Sequence, residues 1–398
     1  MGSPAVADTA ERVARASYGR LLAVLAAPTG DIHAAEDALS DAFVQALRTW
    51  PTSGTPRNPE GWILTVARNR LRDLYRSATF RTNTALTDDA AATPASEPDL
   101  DAIPDRRLEL LFVCAHPAID ARVRTALMLH TVLGFDAEQI ARAFALPTAT
   151  LAQRLVRAKR RIKVLGVRFE VPDRSQLADR LPPVLEAIYG AYSIHWESEA
   201  LFLARILVDL LDGEAEVLGL AALLNLSASR RSTGPFVPLD EQDTSAWNHQ
   251  LIAEGENMLR RAHALGRIGR FQLEAAIQSV HCDRARTGVT DDAALRRLHL
   301  ALLEIAPTLG ARVSLAAITG RLDGPAAGLA MLDELGETRF QPAWATRAHL
   351  LARAGRSPAA SAAFAEAIAL TADRGIRDYL LSRKEIVDNQ TNDAGIPK

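Results

Sequence analysis

Aromatic residues and cysteines are scarce in this 398-residue chain, and its apolar runs are short. Phe, Trp and Tyr make up 5% of the residues, and there are two cysteines, Cys114 and Cys282. Cysteines this far apart predict neither a disulfide framework nor a zinc cluster, so we expect both to be small core residues. The lack of any apolar stretch of about twenty residues, and of a signal-peptide core near the N-terminus, predicts a cytoplasmic protein with no membrane contact.

Motifs for catalysis and cofactor binding are also missing. The sequence has no glycine-rich phosphate loop, no set of clustered metal ligands and no GxSxG nucleophile motif. Cys114 with His116, and His281 with Cys282, are isolated pairs without further ligands beside them. We therefore predict a protein that is not an enzyme and needs no cofactor and no metal.

The abundance of alanine and leucine predicts an all-α fold. Hydrophobic residues make up 48% of the chain, with alanine and leucine dominant, and no run of alternating apolar and polar residues persists as a half-buried strand would require. We expect two small helical modules at 8–81 and 106–171, joined by an acidic linker at 82–105, and a large helical region at 172–398. The linker segment has six acidic residues, three prolines and no basic residue.

The segment PTATLAQRLVRAKRRIK at 147–163 concentrates positive charge. Residues 139–169 contain eight basic residues and no acidic one, whereas the whole chain has a net charge of -2. Leu151, Leu155 and Ala158 recur at the spacing of one helical face, which leaves polar and basic residues on the other face. That face suits a polyanion, and a merely solvated basic helix is the alternative.

Two shorter helices are expected before this segment. One spans Arg122 to Leu133, and the other follows an Asp136 cap over DAEQIARAFAL at 136–146. Pro147 and Thr148 end that run and begin the basic helix. Two helices joined by a short turn, the second with polar and basic residues at its N-terminal end, are typical of a helix-turn-helix that binds duplex DNA.

A second basic helix face is predicted in PEGWILTVARNRLRDLYRSATF at 59–80. Three of its arginines recur every four residues and share one side of a helix with an asparagine and a tryptophan. Arginines attract phosphates, and planar or amide groups hold unpaired bases, so this face suits single-stranded nucleic acid. A solvated arginine face with Trp62 in the core is the alternative. The apolar stripe is expected at Ile63, Ala67, Leu71 and Leu74.

The last region contains an internal repetition. PAAGLAM at 325–331 is matched 33 residues later by PAASAAF at 358–364, close to the 34-residue period of tetratricopeptide repeats (TPR). We expect a TPR-like helical region, with ordinary alanine-rich hairpins as the alternative. Asp243 and Trp247, in LDEQDTSAW, are either part of a regulatory contact or simply a helix cap and a core residue.

Several segments resemble bacterial sigma factors of the extracytoplasmic-function (ECF) type. These are AEDALSDAF at 35–43, NPEGWILTVARNRLRD at 58–73 and the helix-turn-helix ending LAQRLVRAKRRIK. LLFVCAHPAI at 110–119, IARAFALPTATLAQRLVRAKRRI at 140–162 and LDEQDTSAWNHQLIAEG at 239–255 resemble the subgroup with a long C-terminal TPR-like extension. The resemblance implies a protein that directs core RNA polymerase to promoters and itself makes or breaks no bond.

The resemblance also implies three sets of contact residues. Contacts to the polymerase clamp are expected at Glu36, Asp37, Leu39, Ser40, Asp41 and Phe43. Contacts to the melted minus-ten promoter element are expected at Trp62, Arg68, Asn69, Arg72 and Arg76. Contacts to the duplex minus-thirty-five element are expected at Thr148, Thr150, Gln153, Arg154 and Arg157, with Arg160 and Arg161 on phosphates. Residues 159–163 are expected mainly to hold the phosphate backbone.

The sequence is also compatible with two other functions. A one-component transcriptional regulator would use the helix-turn-helix on duplex operators and the repeat region as a sensor, but it leaves the 59–80 face unexplained. A scaffold would use the repeat surface alone. For the C-terminal region we expect an intrachain or partner-protein contact that controls activity, since TPR surfaces bind peptides or helices.

Overall fold

The computed structural model describes residues 17–82, 105–144, 146–193, 197–211, 213–231, 234–336 and 338–394. Within these ranges the chain forms helices and turns and no strand, so the all-α prediction is confirmed. The chain divides into two compact units, residues 1–206 and 207–398. The expected linker lies almost entirely outside the described residues.

The first unit contains the helices of both predicted modules. A helix seen over residues 17–26, here α1, is followed by helices that match the expected order. These are α2 (Ile32–Ser53), α3 (Pro59–Thr82), α4 (Arg107–Cys114), α5 (Ala121–Thr131), α6 (Ala137–Ala143), α7 (Thr148–Leu165), α8 (Arg174–Ser193) and α9 (Glu197–Leu210), in which the division between the units falls.

The second unit contains the helices that follow α9, which range from 4 to 21 residues in length. They are α10 (Ala215–Ala228), α11 (His249–Ala264), α12 (Arg270–Cys282), α13 (Arg284–Thr287), α14 (Asp292–Ile305), α15 (Leu309–Leu322), α16 (Pro325–Asp333), α17 (Gln341–Arg353), α18 (Ser357–Leu370) and α19 (Arg374–Ala394). Two 3-10 turns precede α11, at Leu239–Glu241 and Thr244–Ala246.

Local capping explains where the helices of the first unit begin and end. Asp31 Oδ1 accepts a hydrogen bond from the Ala34 N–H at 3.1 Å and so caps the start of α2. Asp136 and Gln139 form a reciprocal capping box at the start of α6. Gly166 ends α7 in the left-handed conformation, with φ of 58°, which glycine adopts without steric cost. These ends follow from short-range chemistry.

The apolar stripe of α3 differs from the expected one at its last position. Ile63, Ala67 and Leu71 are buried, but Leu74 is 46% exposed. The stripe continues instead at Tyr75, whose hydroxyl lies 3.5 Å from Asp31 Oδ2. A spacing of four residues keeps Tyr75 on the face that packs, so the expectation for Leu74 was wrong.

Helix α8 belongs to the same compact unit as the helix-turn-helix. The large C-terminal region was expected to begin at 172, yet residues 172–206 lie in the first unit. The buried Arg180 of α8 donates to the carbonyl oxygen of Phe112 on α4. This contact spans 68 residues of sequence, which explains why local patterns placed the boundary earlier.

The two copies of the repeat in the second unit begin their helices in the same way, but equivalent residues differ in burial. Pro325 and Pro358 both lie in the first turn of a helix, where a missing N–H costs nothing. Ala363 and Phe364 are buried, whereas the equivalent Ala330 is exposed and Met331 half-buried. The two copies therefore share their local start signal and differ in packing.

Candidate nucleic-acid interface

Helix α7 presents most of its predicted duplex-DNA residues to solvent. Its inner face is formed by Leu151, Leu155, Ala158 and Ile162, all buried. On the outer face, the exposed residues are Thr148, Gln153, Arg157, Arg160 and Arg161, and the half-buried ones are Thr150 and Arg154. The outer face can therefore contact phosphates and base edges without repacking the helix.

Two lysines of α7 have partners on α2. Lys159, with 6% of its surface exposed, places Nζ 2.5 and 2.6 Å from the two carboxylate oxygens of Glu36. Lys163 Nζ lies 2.6 Å from Asp31 Oδ2. We expected residues 159–163 to hold the phosphate backbone. For Lys159 that expectation does not fit the structure, because its ammonium group faces the protein interior.

Helix α3 carries the predicted single-strand face. Arg68, Asn69, Arg72 and Arg76 are exposed, and Arg72 Nη1 donates to Asn69 Oδ1 at 3.1 Å. Burial, and then repulsion from Arg72, lowers the pKa of the Arg68 guanidinium. The structure thus brings three cations and an amide together on one surface.

Trp62 lies at the other end of this surface and is half-buried. Its ring packs edge-on against Trp50, with centroids 5.5 Å apart and planes at 65°. Trp50 itself is fully buried. Trp62 was predicted either to contact single-stranded nucleic acid or to lie in the core. The structure combines the two, since one edge of the ring packs in the interior and part of the ring remains open to solvent.

A cavity of about 600 Å³ opens beside the arginines of α3. Its apolar side is formed by Val24 and Leu25 of α1 with Leu71 of α3, and Tyr75 contributes a ring. Arg68, Arg72 and Arg76 line the same cavity. An apolar recess edged by cations suits a planar group attached to a phosphate.

The residues predicted to contact polymerase are divided between the interior and the surface of α2. Glu36 and Leu39 are buried, Phe43 is half-buried, and Asp37, Ser40 and Asp41 are exposed. Arg70 of α3 is exposed, and its Nε lies 3.6 Å from Asp41 Oδ2. Three of the six predicted residues thus form a solvent-facing patch.

Helix α2 also exposes two apolar residues that were not predicted as contacts. Val44 and Leu47 are 46% and 48% exposed. Val44 lies three residues after Asp41 and therefore extends the exposed patch along α2. Apolar residues outside the buried stripe of an amphipathic helix were the signal that could have found them.

The remaining candidates behave as core or capping residues. Cys114 and Cys282 are free and buried, and burial raises the pKa of the Cys114 thiol to about 12. Asp243 caps a 3-10 turn by accepting a hydrogen bond from the Ser245 N–H, and Trp247 is buried. These two residues therefore act as a cap and a core residue, which was the alternative to a regulatory contact. Among the described residues no group of three His, Cys, Asp or Glu is placed to hold a metal, and none of the described helices is long and apolar enough to cross a membrane.

Each of the two modules matches a known protein family of its own. Residues 13–81, which contain α1, α2 and nearly all of α3, match Sigma-70 region 2, and residues 110–162, which contain the helix-turn-helix, match Sigma-70, region 4. The chain is 32% identical over 138 residues to the ECF RNA polymerase sigma factor SigL of Mycobacterium tuberculosis, covering 34% of this chain and 76% of SigL. The chain belongs to the ECF sigma factors.

Further comparisons extend beyond these modules. This sigma factor is 34% identical over 372 residues to an uncharacterized protein, R00370, of Rhizobium meliloti, covering 87% of this chain and 88% of that protein. The ECF RNA polymerase sigma factor SigE of Mycolicibacterium smegmatis is 26% identical over 40% of this chain and 58% of its own length. Residues 180–263 match a family of unknown function, DUF6596. No solved structure matches the chain.

Proposed function

We propose that this sigma factor directs core RNA polymerase to promoters through two DNA-binding faces and one polymerase-binding patch. The α3 face binds the melted minus-ten element, and the outer face of α7 binds the duplex minus-thirty-five element. The exposed patch on α2, with Asp37, Ser40 and Asp41 at its centre and Val44 beside them, binds the polymerase clamp. The protein supplies promoter recognition, and the polymerase supplies the chemistry.

One observation carries this proposal more than any other. Two basic helix faces lie in separate matched regions, and they differ in chemistry. The α3 face combines arginines with Asn69 and a half-open Trp62, as single-stranded DNA requires. The α7 face has threonines and a glutamine at its N-terminal end followed by arginines, as a major-groove reader requires.

Reconstituted transcription tests the proposal. Purified full-length protein, mixed with core polymerase and a genomic promoter library, should give transcripts with defined start sites that core polymerase alone does not give. A one-component regulator would instead bind duplex fragments without core polymerase and would leave start sites unchanged. That second outcome would reject the sigma role for this chain.

We also propose that the second unit is a TPR-like extension that controls sigma activity by binding a protein segment. The support is the hairpin arrangement of α15 to α19 and a groove of about 490 Å³ between α11, α12 and α14. Leu259, Ile268 and Leu298 line this groove, and Ile268 is 64% exposed. Such a groove suits an apolar side chain from a peptide or helix.

Truncation tests the extension, provided that the first unit stays whole. A chain ending at residue 172 would lose Arg180 and its bonds to α4, so its failure would not report on regulation. A chain ending after Leu211 keeps α8 and α9. If the extension controls activity, this truncation changes promoter output in cells and in purified transcription. Unchanged output in both assays would remove the regulatory role.

A further inference from the structure

A buried ion pair joins the helices of region 2 to those of region 4. Glu36 on α2 and Lys159 on α7 are 9% and 6% exposed, and both carboxylate oxygens of Glu36 accept from Lys159 Nζ. His130 of α5 places Nε2 3.8 Å from Glu36 Oε1. Glu36 and Lys159 are 123 positions apart in sequence, so their ion pair exists only when the two regions pack together.

A close backbone approach lies in the same interface. A Cβ atom built on Gly19 of α1 would stand 1.8 Å from the Val132 carbonyl oxygen, just after α5. No real Cβ contact is that short, and the obstacle is backbone rather than a flexible side chain. Tyr18 beside it packs against Gly134, with Cδ1 at 3.5 Å from the position of the added Cβ. The two regions therefore meet through a contact that only glycine permits.

This packing conflicts with promoter binding by both regions at once. The names of the minus-ten and minus-thirty-five elements place them about 25 base pairs apart, which is roughly 85 Å along B-DNA at 3.4 Å per base pair. A compact unit of about 200 residues has a radius of gyration of roughly 17 Å and is about 45 Å across. The packed arrangement also covers Glu36, one of the predicted polymerase contacts, because Lys159 holds its carboxylate.

We propose that the Glu36–Lys159 pair is a latch that holds regions 2 and 4 in a closed state unable to engage a promoter, and that core polymerase binds the open state. This inference rests on the proposed sigma function. Opening exposes Glu36 on α2 and frees Lys159 on α7, so one movement uncovers a predicted polymerase contact and a cation of the basic helix.

An ion pair is suited to such a latch. When the two charges separate, each regains hydration that burial had removed, which offsets much of the lost attraction. An apolar contact of similar size would instead expose hydrophobic surface on opening. The pair also sets register, because an alternative packing would leave a buried charge without its partner.

Two variants remove the closed state by different means. Lys159→Met leaves Glu36 buried without its cation, and should raise the open-to-closed ratio roughly a hundredfold or more. Gly19→Ala places a methyl group against the Val132 carbonyl, while alanine improves the helix propensity of α1 itself. Gly190→Ala on α8 is the matched control, because an added Cβ there meets nothing within 4 Å.

The distance between region 2 and region 4, measured with a pair of spin labels, distinguishes the closed state from the open one. Spin labels at Arg48→Cys on α2 and Arg122→Cys on α5, both exposed sites, report the separation in the full-length chain. We expect one narrow, short distance in the parent and Gly190→Ala proteins. Lys159→Met, Gly19→Ala and the parent with core polymerase should all give longer distances. Adding Glu36→Lys to Lys159→Glu should restore the short one.

The outcomes separate the latch from the sigma function. If transcription with core polymerase is promoter-specific but distances stay short in both variants and in the complex, the latch is rejected and the sigma role stands. If the variants open but the parent shows no promoter-specific transcription, the contact is real and the proposed function fails. Faster open-complex formation by Gly19→Ala than by Gly190→Ala would support both.

Discussion

Arg180 on α8 donates two hydrogen bonds to the carbonyl oxygen of Phe112 on α4, from Nη2 at 2.7 Å and Nε at 3.3 Å. Its remaining Nη1 donates to Gln176 Oε1 at 3.0 Å. Arg180 lies outside the segment that matches region 4, and within the match to DUF6596. A residue assigned by sequence to the extension thus completes the hydrogen bonding of the region 4 module.

Replacing Arg180 by leucine should destabilise the first unit. The change leaves the buried Phe112 carbonyl without its donors, which should lower the free energy of unfolding by about 2–3 kcal/mol. Urea denaturation followed by circular dichroism measures this. Arg205→Leu, at an exposed position on α9, is the control and should change stability by less than about 0.5 kcal/mol. Equal effects of the two variants would contradict a structural role for Arg180.

Arg157 on α7 is a predicted contact to the minus-thirty-five element, and the salt dependence of binding tests whether its guanidinium binds a phosphate there. Arg157→Ala should weaken promoter binding and reduce the slope of log affinity against log salt by about one. Binding titrations at several salt concentrations measure the slope. Arg122→Ala, at an exposed position on a different helix, α5, is the control and should leave the slope unchanged. An unaltered slope for Arg157→Ala would remove Arg157 from the phosphate contacts.

Asn69 on α3 should act on melted rather than duplex DNA. Asn69→Ala removes an amide able to bond an unpaired base, and also the acceptor for Arg72 Nη1. We expect open-complex formation, measured by permanganate reactivity, to fall about tenfold, a loss of roughly 1.4 kcal/mol, while duplex affinity changes little. Equal losses in both measurements would argue against contact with unpaired bases.

The Asp31–Lys163 pair should make stability depend on pH. Burial opposes ionisation of Asp31, but hydrogen bonds from Lys163 Nζ and the Ala34 N–H outweigh it, so the Asp31 pKa is lowered. A carboxylate with a lowered pKa stabilises the fold above its unfolded pKa of about 3.9, and this stability is lost as pH falls through the folded pKa. Asp31 also raises the pKa of Lys163, whose stabilisation persists until pH rises through that higher value.

Asp31→Asn isolates the charge of this pair. Asparagine is as good an N-cap as aspartate, so the bond from Ala34 is kept while the attraction to Lys163 is lost. Because Lys163 is largely exposed, the cost at pH 7 should be about 1 kcal/mol or less. Denaturation from pH 7 to pH 3 should show the difference from the parent shrinking below pH ~4. A difference that stays constant with pH would mean that the charge is not responsible.

Short-range chemistry made much of the fold predictable. The Asp31 cap of α2, the Asp136 cap of α6 and the start of α7 at Thr148 depend on residues within three or four positions. The outer faces of α3 and α7 were predicted in the same way, since helical periodicity decides which side chains share a side. Leu74 was misplaced because two adjacent positions compete for the edge of one stripe.

Capping and helical periodicity act over one or two turns, so they specify the set of helices and the charge on each face. The pairing of Lys159 with Glu36, and the completion of the region 4 module by α8, depend instead on tertiary packing. The sequence shows Lys159 as one more cation in a basic run. Its burial depends on a carboxylate 123 residues away, and no local pattern encodes which distant surface a helix will meet.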